Sequence, residues 1–255
     1  MSTLDHRTLV AEQTARFVTL TKGADLATPV PSCPGWTLLD LIRHTGSVHR
    51  WFSVLLRQQV QQPPASREVE LALPAEEDGY RDWLAAGATV AAEAFATVEP
   101  DAPMWAWGAD QHARFWARRM LCETLVHRVD AELALGLRPE IDPALAADAV
   151  EEFLVNLPYA FIFAPGTARL RGTGQTLRFT GTDGTGSWLV RLDPDSFGLT
   201  PDADAPADAT ADVTVRGTAA DLLLFLYGRL PATAAALEVT GDEELLARWV
   251  ADSKF

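Results

Sequence analysis

Apolar residues in the amino-terminal half of the chain recur at spacings of three and four, the period of amphipathic helices, between loops rich in proline and glycine. The pattern predicts helices over about residues 4–22, 37–61 and 76–98, and a fourth that ends at Gly136. Glycine is preferred directly after a helix, because it adopts the left-handed backbone conformation without strain. Four helices of about 20 residues indicate an antiparallel four-helix bundle.

Beyond Ile141 the pattern changes from long helices to short alternating runs. One further helix is predicted first, over DPALAADAVEEFLVNLPYAFIF. Four runs bounded by Gly, Asp or Pro then predict hairpin-connected strands: TARLRGTG, TLRFTGTDG, SWLVRLDP and ADVTVRGT. They are followed by a helix (TAADLLLFLYGRL), a strand (ALEVTGD) and a last helix (EELLARWVADS). Strands grouped before helices favour α+β over a parallel Rossmann sheet. We therefore predict a two-domain α+β protein, with a helix bundle at 1–140 and an α+β domain at 141–255.

The charge balance of the chain restricts its partners. It carries 21 basic and 35 acidic residues, a formal charge of -14, and its 48% hydrophobic content supports a true core. An acidic chain repels nucleic acid and anionic membranes, so we expect neither as a partner. The most basic stretch, ARFWARRM, contains Arg114, Arg118 and Arg119. We interpret it as a salt-bridging or anion-holding segment rather than a DNA surface.

Two cysteines, Cys33 and Cys122, are too few for a disulfide framework. The chain opens without a basic start and an apolar run, and it has no span of about 18 apolar residues that could cross a bilayer, so we expect a cytoplasmic protein. Cys122 precedes Glu123 by one position, about 100° around a helix, which favours core packing over shared ligation of one ion. Cys33 stands before Pro34 in a turn that offers nothing to make it a nucleophile.

The strongest candidate chemistry lies in the fourth predicted helix, where Glu123 and His127 are four residues apart. Side chains at this spacing project from the same helical face and lie about 5–6 Å apart at Cβ. A carboxylate oxygen and an imidazole nitrogen can therefore converge on one metal ion. The alternative is that the two residues are ordinary surface neighbours, so the interpretation as a metal site depends on a third ligand.

His44 is the candidate third ligand, on a predicted buried stripe of the second helix. The stripe consists of residues at three- and four-residue spacing, namely Leu41, His44, Val48, Trp51 and Leu55. It directs His44 between the helices, either as a metal ligand or as a core imidazole satisfied by a hydrogen bond. His49 follows five residues later, about 140° around the helix, and we expect it at solvent or at a cleft wall.

Four blocks occur in order along the chain: VPSCPGWTLLDLIRHTGSVHRWF, ETLVHRVDAELALG, VTVRGTAADLLLFLYGRLPA and LEVTGDEELLARW. In these blocks and their order the sequence resembles the mycothiol-dependent maleylpyruvate isomerase family. The resemblance implies a DinB-like metal-binding bundle followed by a small domain similar to sterol-carrier-protein folds. It implies metal ligands at His44, Glu123 and His127, and a functionally important arginine at Arg229. From the residues alone, Arg229 is equally well explained as a helix C-terminal arginine that bonds free carbonyl groups.

Two imidazoles and one carboxylate leave an open coordination position, as in catalytic zinc sites, although nickel, iron and manganese accept the same ligands. By resemblance, the thiol cosubstrate is mycothiol, and a thiol bound to a divalent cation is deprotonated and nucleophilic. We expect a metal-dependent enzyme in which this thiolate attacks a small electrophilic substrate, as a cis-trans isomerase or as an S-transferase. Arg229 would then hold a substrate carboxylate.

Two other functions stay open at this point. One is a non-catalytic bundle that binds a small ligand or a protein partner. The other is a hydrolase that uses zinc-bound water, for which His49 and Asp130 are the available general bases. Asp130 follows His127 by three residues and could also orient a metal ligand, but we favour a capping or solvated surface position for it.

Overall fold

The computed structural model describes residues 4–65, 69–201 and 210–254. It divides into two compact units, Met1–Pro139 and Glu140–Phe255, and the predicted boundary lies one residue from this division. In the described ranges, no helix combines the length and the hydropathy needed to span a membrane.

The described part of the amino-terminal unit contains four α-helices, as predicted. They are α1 (His6–Leu20), α2 (Leu38–Gln58), α3 (Tyr80–Ala96) and α4 (Ala113–Ala134). A 3-10 turn at Glu77–Gly79 leads into α3, and Gly136, with a φ of 70°, follows α4 as expected for a helix end. Both α1 and α2 pack against α3 and α4, so the four helices form a bundle around one core.

The buried face of α2 differs from the predicted stripe. Its buried residues are Leu38, Leu41, Ile42, Thr45, Gly46, His49, Phe52, Ser53, Leu55 and Leu56. His49 is 0% exposed, whereas the side chain of His44 is 34% exposed, so the prediction that His49 meets solvent or a cleft wall is wrong. The inward face contains small and polar residues, so the pattern of apolar residues in the sequence does not reveal it. The Thr45 hydroxyl donates to the Leu41 carbonyl at 2.9 Å, and Gly46, without a side chain, leaves room for the Trp83 indole.

The carboxyl-terminal unit is a mixed sheet with helices, which confirms the α+β prediction. Its helices are α5 (Pro143–Asn156), α6 (Ala219–Leu226) and α7 (Glu243–Asp252), with 3-10 turns at Leu157–Ile162 and Pro165–Arg169. Its strands are β1 (Gln175–Gly181), β2 (Ser187–Leu192), β3 (Phe197–Leu199), β4 (Val213–Gly217) and β5 (Glu238–Gly241). The strand order is β3-β2-β1-β4-β5, antiparallel except for the parallel pair β1 and β4.

Two strand predictions need correction. TARLRGTG is not a strand, because its first residues belong to the second 3-10 turn and Gly174, with a φ of 109°, interrupts extended backbone just before β1. The three-residue β3 was not predicted, since three residues are too few to show an alternating pattern. The sheet packs against α6 and α7, and the ring centroids of Phe179 and Trp249 lie 5.8 Å apart in this core.

Candidate metal centre

Helices α2 and α4 pack against each other and bring His44, Glu123 and His127 together. The α2 helix begins at a capping box, in which the Asp40 carboxylate accepts the Thr37 N–H at 2.9 Å, and this fixes where His44 lies two turns later. The Oε1 atom of Glu123 is 2.9 Å from His44 Nε2 and 3.3 Å from His127 Nε2. Two imidazole nitrogens from different helices therefore converge on one carboxylate oxygen.

The donor set fits a transition-metal ion. The three ligand atoms lie within 4.8 Å of one another. Ligands of one zinc ion, each about 2.0–2.2 Å from it, must themselves be about 3–4 Å apart. Imidazole nitrogen and carboxylate oxygen are zinc ligands in many proteins. The side chains of His44, Glu123 and His127 are 34%, 18% and 11% exposed, so the cluster is partly open to solvent. That they bind a metal stays a prediction.

The Glu123 carboxylate is held as an anion. Burial raises its pKa, but hydrogen bonds with His127 and His44 and the charge of Arg119 outweigh burial, and the pKa lies well below its usual range. Arg119, on the preceding turn of α4, donates from Nη2 to Glu123 Oε2 at 2.7 Å. Arg114 instead pairs with Asp110 on the surface, so the basic stretch forms salt bridges, one of them at the cluster.

His127 lies between two carboxylates. Burial lowers its pKa, but hydrogen bonds with Asp130, Cys33 and Glu123 raise it well above its usual range. Both ring nitrogens of His127 therefore carry a proton at neutral pH, and an ion that bound at Nε2 would have to displace the proton there. Metal affinity at this cluster should rise with pH for that reason.

Asp130 is completely buried, so the prediction of a capping or solvated position is wrong. Its Oδ2 atom lies 3.0 Å from His127 Nδ1 and accepts the Cys33 thiol at 3.4 Å. The contact with Cys33 joins this turn of α4 to the loop before α2. A carboxylate on the second nitrogen of an imidazole is the usual device that orients a histidine ligand. Asp130 thus has the position that a residue orienting His127 as a metal ligand requires.

The loop before α2 contributes two residues to the cluster, Cys33 and Trp36. The loop is closed by a hydrogen bond from the Val30 N–H to the Trp36 carbonyl at 2.9 Å. The Trp36 ring lies 5.1 Å from the His44 ring and 6.1 Å from the His127 ring, the latter in stacked geometry. Helical spacing could not predict these contacts, because neither residue is on a helix. Cys122 is buried, which confirms its packing role.

His49 lies in the core of the bundle and links α2 to α4. Its Nε2 atom is 2.9 Å from Thr124 Oγ1, and the Thr124 hydroxyl donates to the Met120 carbonyl at 2.7 Å. Since the Thr124 hydrogen is already used, His49 Nε2 is the donor. Burial, assisted by the charge of Arg50, lowers the pKa of His49 to about 4, so it is neutral at pH 7. Its catalytic role stays a prediction.

Arg229 belongs to the carboxyl-terminal unit, just beyond α6. Gly228, with a φ of 74°, turns the chain there. The Arg229 N–H donates to the Leu224 carbonyl at 2.7 Å, and its Nη1 donates to the Tyr227 carbonyl at 2.6 Å. These contacts are those of an arginine that caps a helix end. Its role toward a substrate stays a prediction.

A four-helix unit with a His-Glu-His cluster, followed by an α+β unit, defines a two-domain class of candidate metal-binding protein. Residues 8–132 match the sequence model described as the mycothiol maleylpyruvate isomerase N-terminal domain, and residues 144–248 match that of the MDMPI C-terminal domain. The chain belongs to the mycothiol-dependent maleylpyruvate isomerase family. No curated protein matches it in sequence.

Solved structures support the same fold. The crystal structure of a mycothiol-dependent maleylpyruvate isomerase superposes with a TM-score of 0.62 at 16% identity, covering 92% of both chains. A histidine-to-alanine mutant of such an isomerase gives a TM-score of 0.63 at 14% identity with the same coverage. A UbiJ-SCP2 ubiquinone synthesis protein aligns with 46% of this chain and 93% of its own at 20% identity, with a TM-score of 0.31. At that score the sterol-carrier-protein likeness stays a prediction.

Proposed function

We propose that this protein is a mycothiol-dependent isomerase that converts a small cis enedioyl acid of the maleylpyruvate type to its trans isomer, with a divalent metal ion, zinc in the first instance, held by His44, Glu123 and His127. One observation carries the proposal: imidazole nitrogens from two helices converge on a single oxygen of Glu123 at 2.9 and 3.3 Å. The family and the fold support the choice of thiol and of reaction.

The bound ion would supply one property that the side chains lack, the deprotonation of a thiol that, at a pKa of about 8.5, is largely protonated at neutral pH. The residues of the chain hold that ion and shape its surroundings. Glu123 is already ionised, so it presents a negative oxygen between the two imidazoles. Asp130 holds His127 through Nδ1 and leaves Nε2 as the ligand atom.

The isomerisation itself needs a nucleophile and a confined site. Addition of a thiolate to the activated double bond makes it a single bond, rotation follows, and elimination of the thiolate restores the double bond in the trans form. The Trp36 ring lies against both imidazole rings, with centroid distances of 5.1 Å to His44 and 6.1 Å to His127, and forms one side of the cluster. Arg229 stays the candidate that the family resemblance implies for holding the substrate carboxylate, a task suited to its planar fork.

The test is to incubate zinc-loaded protein with mycothiol and maleylpyruvate, and to follow isomer formation by chromatography and mass spectrometry. We expect turnover that needs both thiol and metal and that falls in H44A by more than the roughly 10- to 100-fold typical of losing a residue that only orients a ligand. H112Q is the matched control, because His112 directly precedes α4, about four turns before His127, and contacts Asp110 rather than the cluster. A hydrolysis product formed without thiol would instead indicate the hydrolase, and a released thiol adduct would indicate the S-transferase. Ligand binding that survives in H44A, without turnover, would indicate the non-catalytic binding protein.

A further inference from the structure

Arg119 is a buried arginine at the base of the candidate metal centre. It lies on α4 one turn before Glu123, and its side chain is 4% exposed. Its Nη2 atom is 2.7 Å from Glu123 Oε2. A buried, charged fork on a carboxylate is a strong and directional contact, because both partners are ionised and little water competes with them.

The two oxygens of Glu123 therefore have different partners. Oε1 faces His44 Nε2 and His127 Nε2, and Oε2 faces Arg119. Arg119, Glu123 and His127 follow one another at four-residue intervals, so they occupy successive turns of one helical face. The Glu123 carboxylate is thus held between the Arg119 guanidinium at Oε2 and the two imidazoles at Oε1.

We propose that Arg119 is a positioning residue that reserves Oε2 of Glu123, so that Glu123 binds a metal ion through Oε1 alone. The inference rests on the proposed metal site. Three protein ligands with one bond each leave the fourth position of the ion open for a thiol, whereas a carboxylate that bound through both oxygens would compete for it. Arg119 also keeps the carboxylate from rotating out of line with the imidazoles, and loss of such orientation weakens metal sites by about 10- to 100-fold.

The experiment compares wild type, R119M and R119K with R114M as the control. Arg114 is on the same helix and also pairs with a carboxylate, that of Asp110, but its own side chain is 46% exposed. Zinc affinity is measured by competition with a chromophoric chelator, and the coordination of Glu123 by the visible absorption of bound Co²⁺, whose intensity falls as its coordination number rises. Circular dichroism and thermal unfolding report whether each variant folds.

We expect R119M to raise the Kd for zinc about 10- to 100-fold and to weaken the Co²⁺ absorption, because the freed carboxylate can bind through both oxygens. R119K keeps a charge but not the fork, so its Kd should rise about threefold to tenfold, with R114M unchanged. A folded R119M with wild-type affinity and spectrum overturns the proposal. If R119M does not fold, a wild-type Kd and spectrum in R119K overturn it instead. A wild type that binds no metal overturns the proposed function and this inference together.

Discussion

His49 makes the stability of the bundle depend on pH. It is fully buried, donates through Nε2 to Thr124, and its Nδ1 atom has no hydrogen-bond partner among the described residues. Protonation would place an N–H without an acceptor in the core. The informative perturbation is H49Q, which removes the titrating group and keeps an amide donor at the same position.

The magnitude follows from the displacement of the pKa. Burial moves the pKa of His49 from 6.5 to about 4, and each pKa unit corresponds to about 1.4 kcal/mol, so the full effect is about 3 kcal/mol. The unfolded chain takes up the proton below pH 6.5, whereas the folded chain does not until about pH 4. The contribution of neutral His49 to stability is therefore complete above pH 6.5 and is lost as the pH falls toward 4.

The assay is urea unfolding of metal-free wild type and H49Q between pH 7.5 and 4.5. We expect H49Q to lose less stability than wild type on acidification, by about 2.5 kcal/mol over this pH range, because the range ends just above the folded-state pKa of about 4. F52L, a core change beside His49 without a titrating group, is the control and should keep the wild-type slope. Parallel pH profiles of wild type and H49Q would refute the reasoning.

Three further predictions concern other parts of the fold. D130N should raise the Kd for zinc about 10- to 100-fold by releasing His127, as measured by chelator competition, and an unchanged Kd would show that Asp130 orients nothing. G46A should lower the free energy of unfolding by about 2 kcal/mol in urea, because the added methyl group meets the Trp83 indole; equal stability would mean that α2 and α3 separate easily. W249A should destabilise the carboxyl-terminal unit by about 4 kcal/mol in calorimetry, because the indole is buried in its core, and an unchanged unfolding transition would contradict that role.

The helical periodicity was sufficient to predict the bundle and the pairing of Glu123 with His127, because spacing along one helix is a local property. The orientation of α2 was not predictable in the same way. Its inward face includes Thr45 and His49, whose polar atoms bond the Leu41 carbonyl and the Thr124 hydroxyl. It also includes Gly46, which has no side chain and lies against the Trp83 indole. Such partners come from tertiary packing, which a single-helix pattern does not contain.

The surroundings of His127 show the same limit. Cys33 reaches Asp130 from a loop 97 positions earlier in the chain, and no periodic pattern connects the two residues. Asp130 is buried by tertiary packing that its position on α4 does not reveal, so the sequence pattern predicted a capping or solvated position for it. In the carboxyl-terminal unit, the predicted hairpin of β1 and β2 is present, whereas the parallel pairing of β1 with β4 depends on how the chain returns across the sheet.

The central claim is that His44, Glu123 and His127 bind one divalent ion that keeps a position free for the sulfur of a thiol. The most direct test is to titrate metal-free protein with Co²⁺, add mycothiol, and record the near-ultraviolet absorption, in which a bond between sulfur and cobalt appears as a new charge-transfer band. We expect one Co²⁺ per chain and a band that requires mycothiol and is absent in H44A. Failure to bind Co²⁺, or a spectrum that mycothiol does not change, would contradict the account.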